Sequence, residues 1–316
     1  MNDRYFYEQS IYDAIASHIG LKFSNLRFFP KILSLPQNDY ELFDLLDIIP
    51  SSAPLFKINN DVPRLSSTYS KLLQSQQDSL ILQIAKKNFE NTNNWLPGDP
   101  SSNLPKTPMY TPTCTDIRQS VQNGGLFEFS IDTSMTPSPN KSLEPSLPNF
   151  VVYEPFRMFN EIAGGNRFVF KIRFDKMTSP SVRPGAWFSN PLLTQAFTNP
   201  DKWLTGPDIV TWNSLFGDNG TLKFTIVNIL AVSGMKLEVQ SFGNYDNAML
   251  NALKINEVAT SIWPFYLNNV KHLSQKIELG SDKSIKITTS VDSPEILLLF
   301  MGVESLSKLI TGTAIV

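Results

Sequence analysis

The chain has 316 residues, with 27 Lys and Arg against 29 Asp and Glu, and a formal net charge of -2. Hydrophobic residues make up 41 % of it, aromatics 11 % and charged residues only 18 %. Such a chain is too apolar and aromatic to stay disordered, and too nearly neutral to bind nucleic acid or anionic lipid through a general basic face.

The opening residues, MNDRYFYEQS IYDAIASHIG, carry no basic run followed by a continuous apolar stretch, so they do not read as a secretory signal. The longest uncharged apolar stretches, residues 224–235 and 296–303, fall short of the roughly 18 to 20 residues that span a bilayer. The expected product is soluble, cytoplasmic as synthesised and without an integral membrane segment. If it leaves the cell, it leaves by lysis or by a dedicated machine.

The first hundred residues read as mainly helical. Asn2 or Asp3 can cap a helix with apolar positions at Tyr5, Phe6, Ile11, Ala14 and Ile15, and Gly20 stands where a C-terminal cap would. A short helix fits Tyr40 to Asp47, ended by Pro50. A longer one fits Ser67 to Asn91, with Leu72, Leu73, Leu80, Ile84, Ala85 and Phe89 at helical spacing.

Prolines punctuate residues 92–118 and 133–149, and proline denies both helix and central strand, so these read as extended connections. The resulting division is a mainly helical region over 1–95, a Pro-rich connection over 96–118, and a β-rich domain over 119–316 with a long Pro/Ser-rich loop at 133–149.

From residue 126 the period becomes two. LFEFSID places Phe127, Phe129 and Ile131 on one face; RFVFKIRFD places Phe168, Phe170, Ile172 and Phe174 on one face and Lys171, Arg173 and Asp175 on the other. KLEVQ and SIKITTSVD alternate in the same way, as half-buried antiparallel strands do. TLKFTIVNILAV and EILLLFMGV are continuously apolar, as central strands are, with Gly220 and Gly234 as turn points between strands. One helix fits near Tyr245 to Val258. The fold class expected is α+β: a helical N-terminal part followed by a mainly antiparallel β-sandwich or jelly-roll-like domain. FEFSIDTSMTP and FKIRFDKMTSP resemble each other through common strand-ending chemistry, Asp and Pro. No period recurs along the chain, which excludes a solenoid or propeller.

Chemistry-bearing motifs are sparse. The lone cysteine, Cys114, permits neither an intrachain disulfide nor a thiolate metal cluster, and it has no histidine nearby to act as its base. The two histidines, His18 and His272, stand far apart in sequence and belong to no metal-ligand motif. NGG at 123–125, AGGN at 163–166 and GDNG at 217–220 read as turns, since none has the Lys and helix of a phosphate loop or the ligand ladder of a calcium loop. No catalytic residue, metal or cofactor is expected.

The most unusual stretch is 183–217, which holds Trp187, Trp203 and Trp212 beside Phe188, Phe197 and Phe216, interleaved with Asn190, Asn199, Asp201, Asp208 and Asn213. Indole rings beside amides suit a protein interface, where Trp is enriched at hot spots, or a glycan, whose apolar face stacks on a flat ring. They equally suit a lid pinned by buried rings, and IWPFYL at 262–267 is a second aromatic knot. Trp187, Phe188, Trp203, Trp212, Asn190 and Asn213 are the expected binding residues. The function expected is non-enzymatic binding or self-assembly through this aromatic surface, with a protein partner, a second copy or a glycan, and without nucleic acid. Two alternatives follow. One is a toxin-like protein that binds a receptor or glycan and perturbs membranes. The other is a hydrolase with dispersed carboxylates.

Overall fold

The computed structural model describes residues 2–53, 55–59, 61–74, 79–98, 106–132, 134, 167–204, 211–255 and 270–311. The loop at 133–149 apart from Ser134, AGGN, IWPFYL, Asp208 and Val258 lie outside the described residues, as do the side chains of Tyr5, Phe6 and Phe168.

Helix α1 (Asn2–His18) ends at Gly20, whose φ is 72°. Leu21 N–H donates to Ala16 O and Gly20 N–H to Ser17 O, so the left-handed glycine closes the last turn. Strand β1 (Leu26–Ser34) lies within the stretch that composition marks as helical. Its residues show no clean alternation, because Leu26, Arg27, Phe28 and Phe29 are all buried. Arg27 is satisfied in the interior by donating to Ser24 O and Leu26 O, each at 2.9 Å, and burial lowers it to about 10.

Helix α2 (Asp39–Leu46) starts at Asn38, whose side chain accepts from Glu41 N–H. The single helix expected over Ser67–Asn91 is instead two, α3 (Leu65–Leu72) and α4 (Leu80–Glu90). Ser79 is extended and its hydroxyl accepts from Leu82 N–H, so the second helix has its own start. Serine competes for backbone hydrogen bonds outside the helix, which favours a cap at Ser79 over an uninterrupted helix. On α4 the buried positions are Leu82 and Ala85, while Leu80 and Ile84, assigned to the apolar stripe by spacing, are 70 % and 48 % exposed.

Short strands β2 (Trp95–Leu96), β3 (Thr107–Pro108) and β4 (Tyr110–Thr111) precede α5 (Cys114–Gln122), which Thr113 and Asp116 cap reciprocally. There follow β5 (Gly125–Asp132), β6 (Arg167–Thr178), β7 (Arg183–Pro184), α6 (Asn190–Thr198), α7 (Pro200–Trp203), α8 (Trp212–Phe216) and β8 (Phe224–Phe242). The chain closes with α9 (Asn247–Ile255), β9 (Leu273–Leu279), β10 (Ile285–Ser305) and α10 (Leu306–Thr311). The class is α+β with a mostly antiparallel sheet, and helices dominate the N-terminal part.

Two compact units are formed, each from three stretches: residues 1–35, 118–179 and 230–300 make the first, and 36–117, 180–229 and 301–316 the second. The first unit is built on the main sheet, whose order is β1-β10-β8-β6-β5, with β9 also paired to β10. Alternation works here as expected. Phe170, Ile172 and Phe174 of β6 are at most 1 % exposed. Lys171 lies across from Ser130 and Glu238, and Arg173 across from Glu128 and Lys236, on the outer face. On the inner face Tyr12 of α1 packs at 4.3 Å from Phe28 and 5.7 Å from Phe300, between ring centroids.

Two expected breaks are absent. Gly234 is no turn: β8 runs through it, with φ 63°, directly across from Asp175. A Cβ there would come within 2.4 Å of Asp175 Oδ2, so glycine serves a close approach rather than a reversal. Likewise SIKITTSVD and EILLLFMGV are not separate strands, since β10 continues through Pro294. Pairing with β9 stops at Val291, and Leu35 N–H bonds Ile296 O beyond it, so the proline stands between one pairing partner and the next.

Candidate functional site

The second unit has its packing centre at Trp187, which is wholly buried. Its ring centroid lies 5.5 to 6.2 Å from those of Tyr69, Phe89, Trp95, Tyr110 and Phe188. Aromatic pairs at this spacing add to the burial of their area. The polar edge is satisfied too: Trp187 Nε1 donates to Met109 O at 2.7 Å. Ser189 N–H donates to the hydroxyl of Tyr69, whose ionisation burial pushes up to about 12.

Beside this cluster lies a buried carboxylate. Asp47 Oδ1 accepts from Tyr110 OH at 2.7 Å and from Ser66 N–H at 2.9 Å, and Oδ2 accepts from Ser66 Oγ at 2.6 Å. The backbone O of Asp47 accepts from Leu65 N–H, so this one residue caps α3, whose preceding Arg64 offers no side-chain cap. Burial raises the Asp47 carboxyl above its usual range, against the opposing pull of the Ser66 and Tyr110 hydrogen bonds and the Arg64 charge. Tyr110 is held well above the ordinary phenol value by burial, and further by the charge of Asp47.

Tyr110 also lines a cavity of about 550 Å³ in this unit. Its buried walls include Leu46, Ile48 and Leu65 from the helical stretch, Leu193 from α6, Ile226 from β8 and Leu306 from α10. Ser181, Arg183, Asn190 and Leu309 are its exposed lining residues, with Thr194 and Thr225 half-buried. Arg183 and Pro184 form β7, paired with Tyr110 and Thr111 of β4, and this pairing fixes the position of Arg183. The guanidinium of Arg183 has neither an ion pair nor a hydrogen bond among the described residues.

This chain matches no family model, no curated protein and no solved structure. What the site does therefore has to be read from its own residues.

The six expected binding residues divide. Phe188 and Asn190 line the cavity. Trp187 is 0 % and Trp203 6 % exposed, which puts both rings out of a partner's reach, and burial rather than display is their role in this fold. Trp212 is half-buried; its Nε1 donates to Phe197 O and its ring packs on Phe197 and Phe216. Asn213 is exposed on α8 and does not line the cavity. Sequence reasoning did not find Asp47, Tyr110, or the lining from residues 46–65 and 306–310. These come from separate stretches, and no local spacing announces that they meet.

Other groups are placed as follows. His18 is exposed, with its ring edge-on to Phe127 at 5.1 Å. Cys114 is buried, with Sγ 3.3 Å from Asn38 O. GDNG forms a turn closed by Gly220 N–H to Gly217 O. Among the described residues no three His, Cys, Asp or Glu side chains gather as metal ligands, and no helix is long and apolar enough to cross a membrane.

Proposed function

We propose that this protein is a non-enzymatic binding protein. In this reading the aromatic-rich segment 183–217 acts by walling a ligand cavity, not by presenting bare indole anchors. The observation that supports it most is the composition of that cavity. Buried aliphatic side chains make its walls, and a few fixed polar groups stand among them, which is how small-molecule sites of roughly 300–1,000 Å³ are built. The rigid cluster around Trp187 supports one side, since Phe188 both packs on that indole and lines the cavity. Holding a ligand needs shape, apolar area and a few directional contacts, and all three are present.

The test is a titration with the apolar fluorophore N-phenylnaphthylamine. The wild-type chain should bind it saturably, and Thr194→Trp, which fills the cavity from a half-buried wall position, should abolish binding with an unchanged melting temperature. Binding that does not saturate, or that survives Thr194→Trp undiminished, would overturn the reading.

A further inference from the structure

Resting on the reading of this cavity as a ligand site, we infer that its ligand is a single-chain amphiphile with an anionic head, held by the Arg183 guanidinium while its alkyl chain lies along the apolar walls. Three observations lead there. First, the walls are largely aliphatic: Leu46, Ile48, Leu193 and Ile226 offer a chain dispersion contacts and desolvation but no hydrogen bonds. Second, Arg183 is the one charged side chain of the lining among the described residues, and it has no carboxylate partner of its own. A guanidinium offers parallel donors matched to a carboxylate, and this one is uncommitted.

Third, the neighbouring polar groups are arranged around that charge without cancelling it. Ser181, Asn190 and Thr194 are neutral, and Asn190 begins α6, where the helix carries its partial positive charge. The nearby acid Asp47 is outside the lining, and its oxygens already accept from Tyr110 and Ser66. Tyr110 is likewise committed as a donor. An anionic head would therefore find a cation and neutral groups; a cationic head would find a like charge.

The deciding measurement is calorimetric titration of decanoate, decanol and decyltrimethylammonium into the wild-type chain and Arg183→Gln. Arg183 is exposed and, among the described residues, unpaired, so Arg183→Gln should melt with the wild type. The wild type should bind decanoate about tenfold more tightly than decanol, the worth of one charge-assisted contact, and the quaternary ammonium least. Arg183→Gln should lose that tenfold for decanoate and nothing for decanol.

Equal affinity of the wild type for decanoate and decanol, or a decanoate affinity unmoved by Arg183→Gln, overturns the anionic assignment and leaves the cavity reading standing. Failure of all three ligands to bind the wild type overturns both. Sedimentation with phosphatidylglycerol vesicles separates a free amphiphile from a lipid surface. The chain should stay in the supernatant, and pelleting that Arg183→Gln relieves would replace the single amphiphile with a membrane.

Discussion

In the first unit, side chains are sorted by alternation along each strand. Phe170, Ile172 and Phe174 go to the interior, and Lys171, Arg173 and Asp175 stay outside. In the second unit, neighbours in the 183–217 segment part company with no period at all. Trp187 is wholly buried, Phe188 is half-buried on the cavity, and Asn190 is exposed at its lining. Both regions are rich in large apolar side chains, yet only the first is ruled by a repeating backbone geometry. A sheet face is a local property that two residues of sequence already express. A cavity wall is a non-local one, because whether a ring faces a void depends on which distant segment arrives opposite it.

The largest effect separating these arrangements is expected at Trp187. If it is the packing centre, Trp187→Ala costs about 3–5 kcal/mol, read as a shift in the urea midpoint, and leaves Met109 O with Gly185 N–H as its remaining donor. Phe174→Ala, at a 0 % exposed position of the sheet, should cost a similar amount. A loss under about 1 kcal/mol at Trp187, as for a typical surface substitution, would mean that the indole supports nothing and that the segment is a detachable flap.

What was legible follows the same division. The Gly20 cap, the strand over 126–132 and the inward phenyl rings of 168–174 that the structure describes were readable because each depends on its own few residues. The two long strands were misdivided. Gly234 and Pro294 carry turn chemistry, but they sit where a cross-strand neighbour approaches closely and where one pairing partner gives way to another. Tertiary pairing overrode local preference there. The 183–217 segment was legible as unusual, but its rings could not be assigned to core or surface. The residues that bury Trp187 come from positions 69, 89, 95 and 110. Asp47 gave no signal, since nothing in DLLDIIP says that Tyr110 will reach it.

A smaller effect is expected at Asp47, and its sign sharpens the contrast between a buried carboxylate and the exposed ones on the sheet. Burial raises this carboxyl in the folded state above its unfolded value. The folded chain then holds the proton more tightly than the unfolded chain does. The contribution of Asp47 to stability is complete below the unfolded value and declines as pH rises through the folded one. Asp47→Asn removes that titration while keeping one acceptor for Tyr110 and Ser66. The advantage of the wild type over Asp47→Asn should therefore narrow as pH rises above about 4, measured as the difference of two urea unfolding curves at each pH. An advantage that widens over this range would show the hydrogen bonds outweighing burial, and an Asp47 carboxyl held low instead.

The smallest effect is expected on the outer face of the sheet. Arg173 bonds Glu128 Oε1 and Asp175 Oδ1, each at 2.8 Å, but its side chain is 49 % exposed and both partners 55 %. Water and salt screen such pairs, and holding three long side chains in place opposes the attraction. Arg173→Ala should leave the melting temperature unmoved at ordinary ionic strength, one residue away from Phe174, whose truncation should cost about 3–5 kcal/mol. A clear drop on Arg173→Ala that high salt does not erase would mean that this face is covered, and the alternation that sorts β6 would then separate two interiors rather than an interior from solvent.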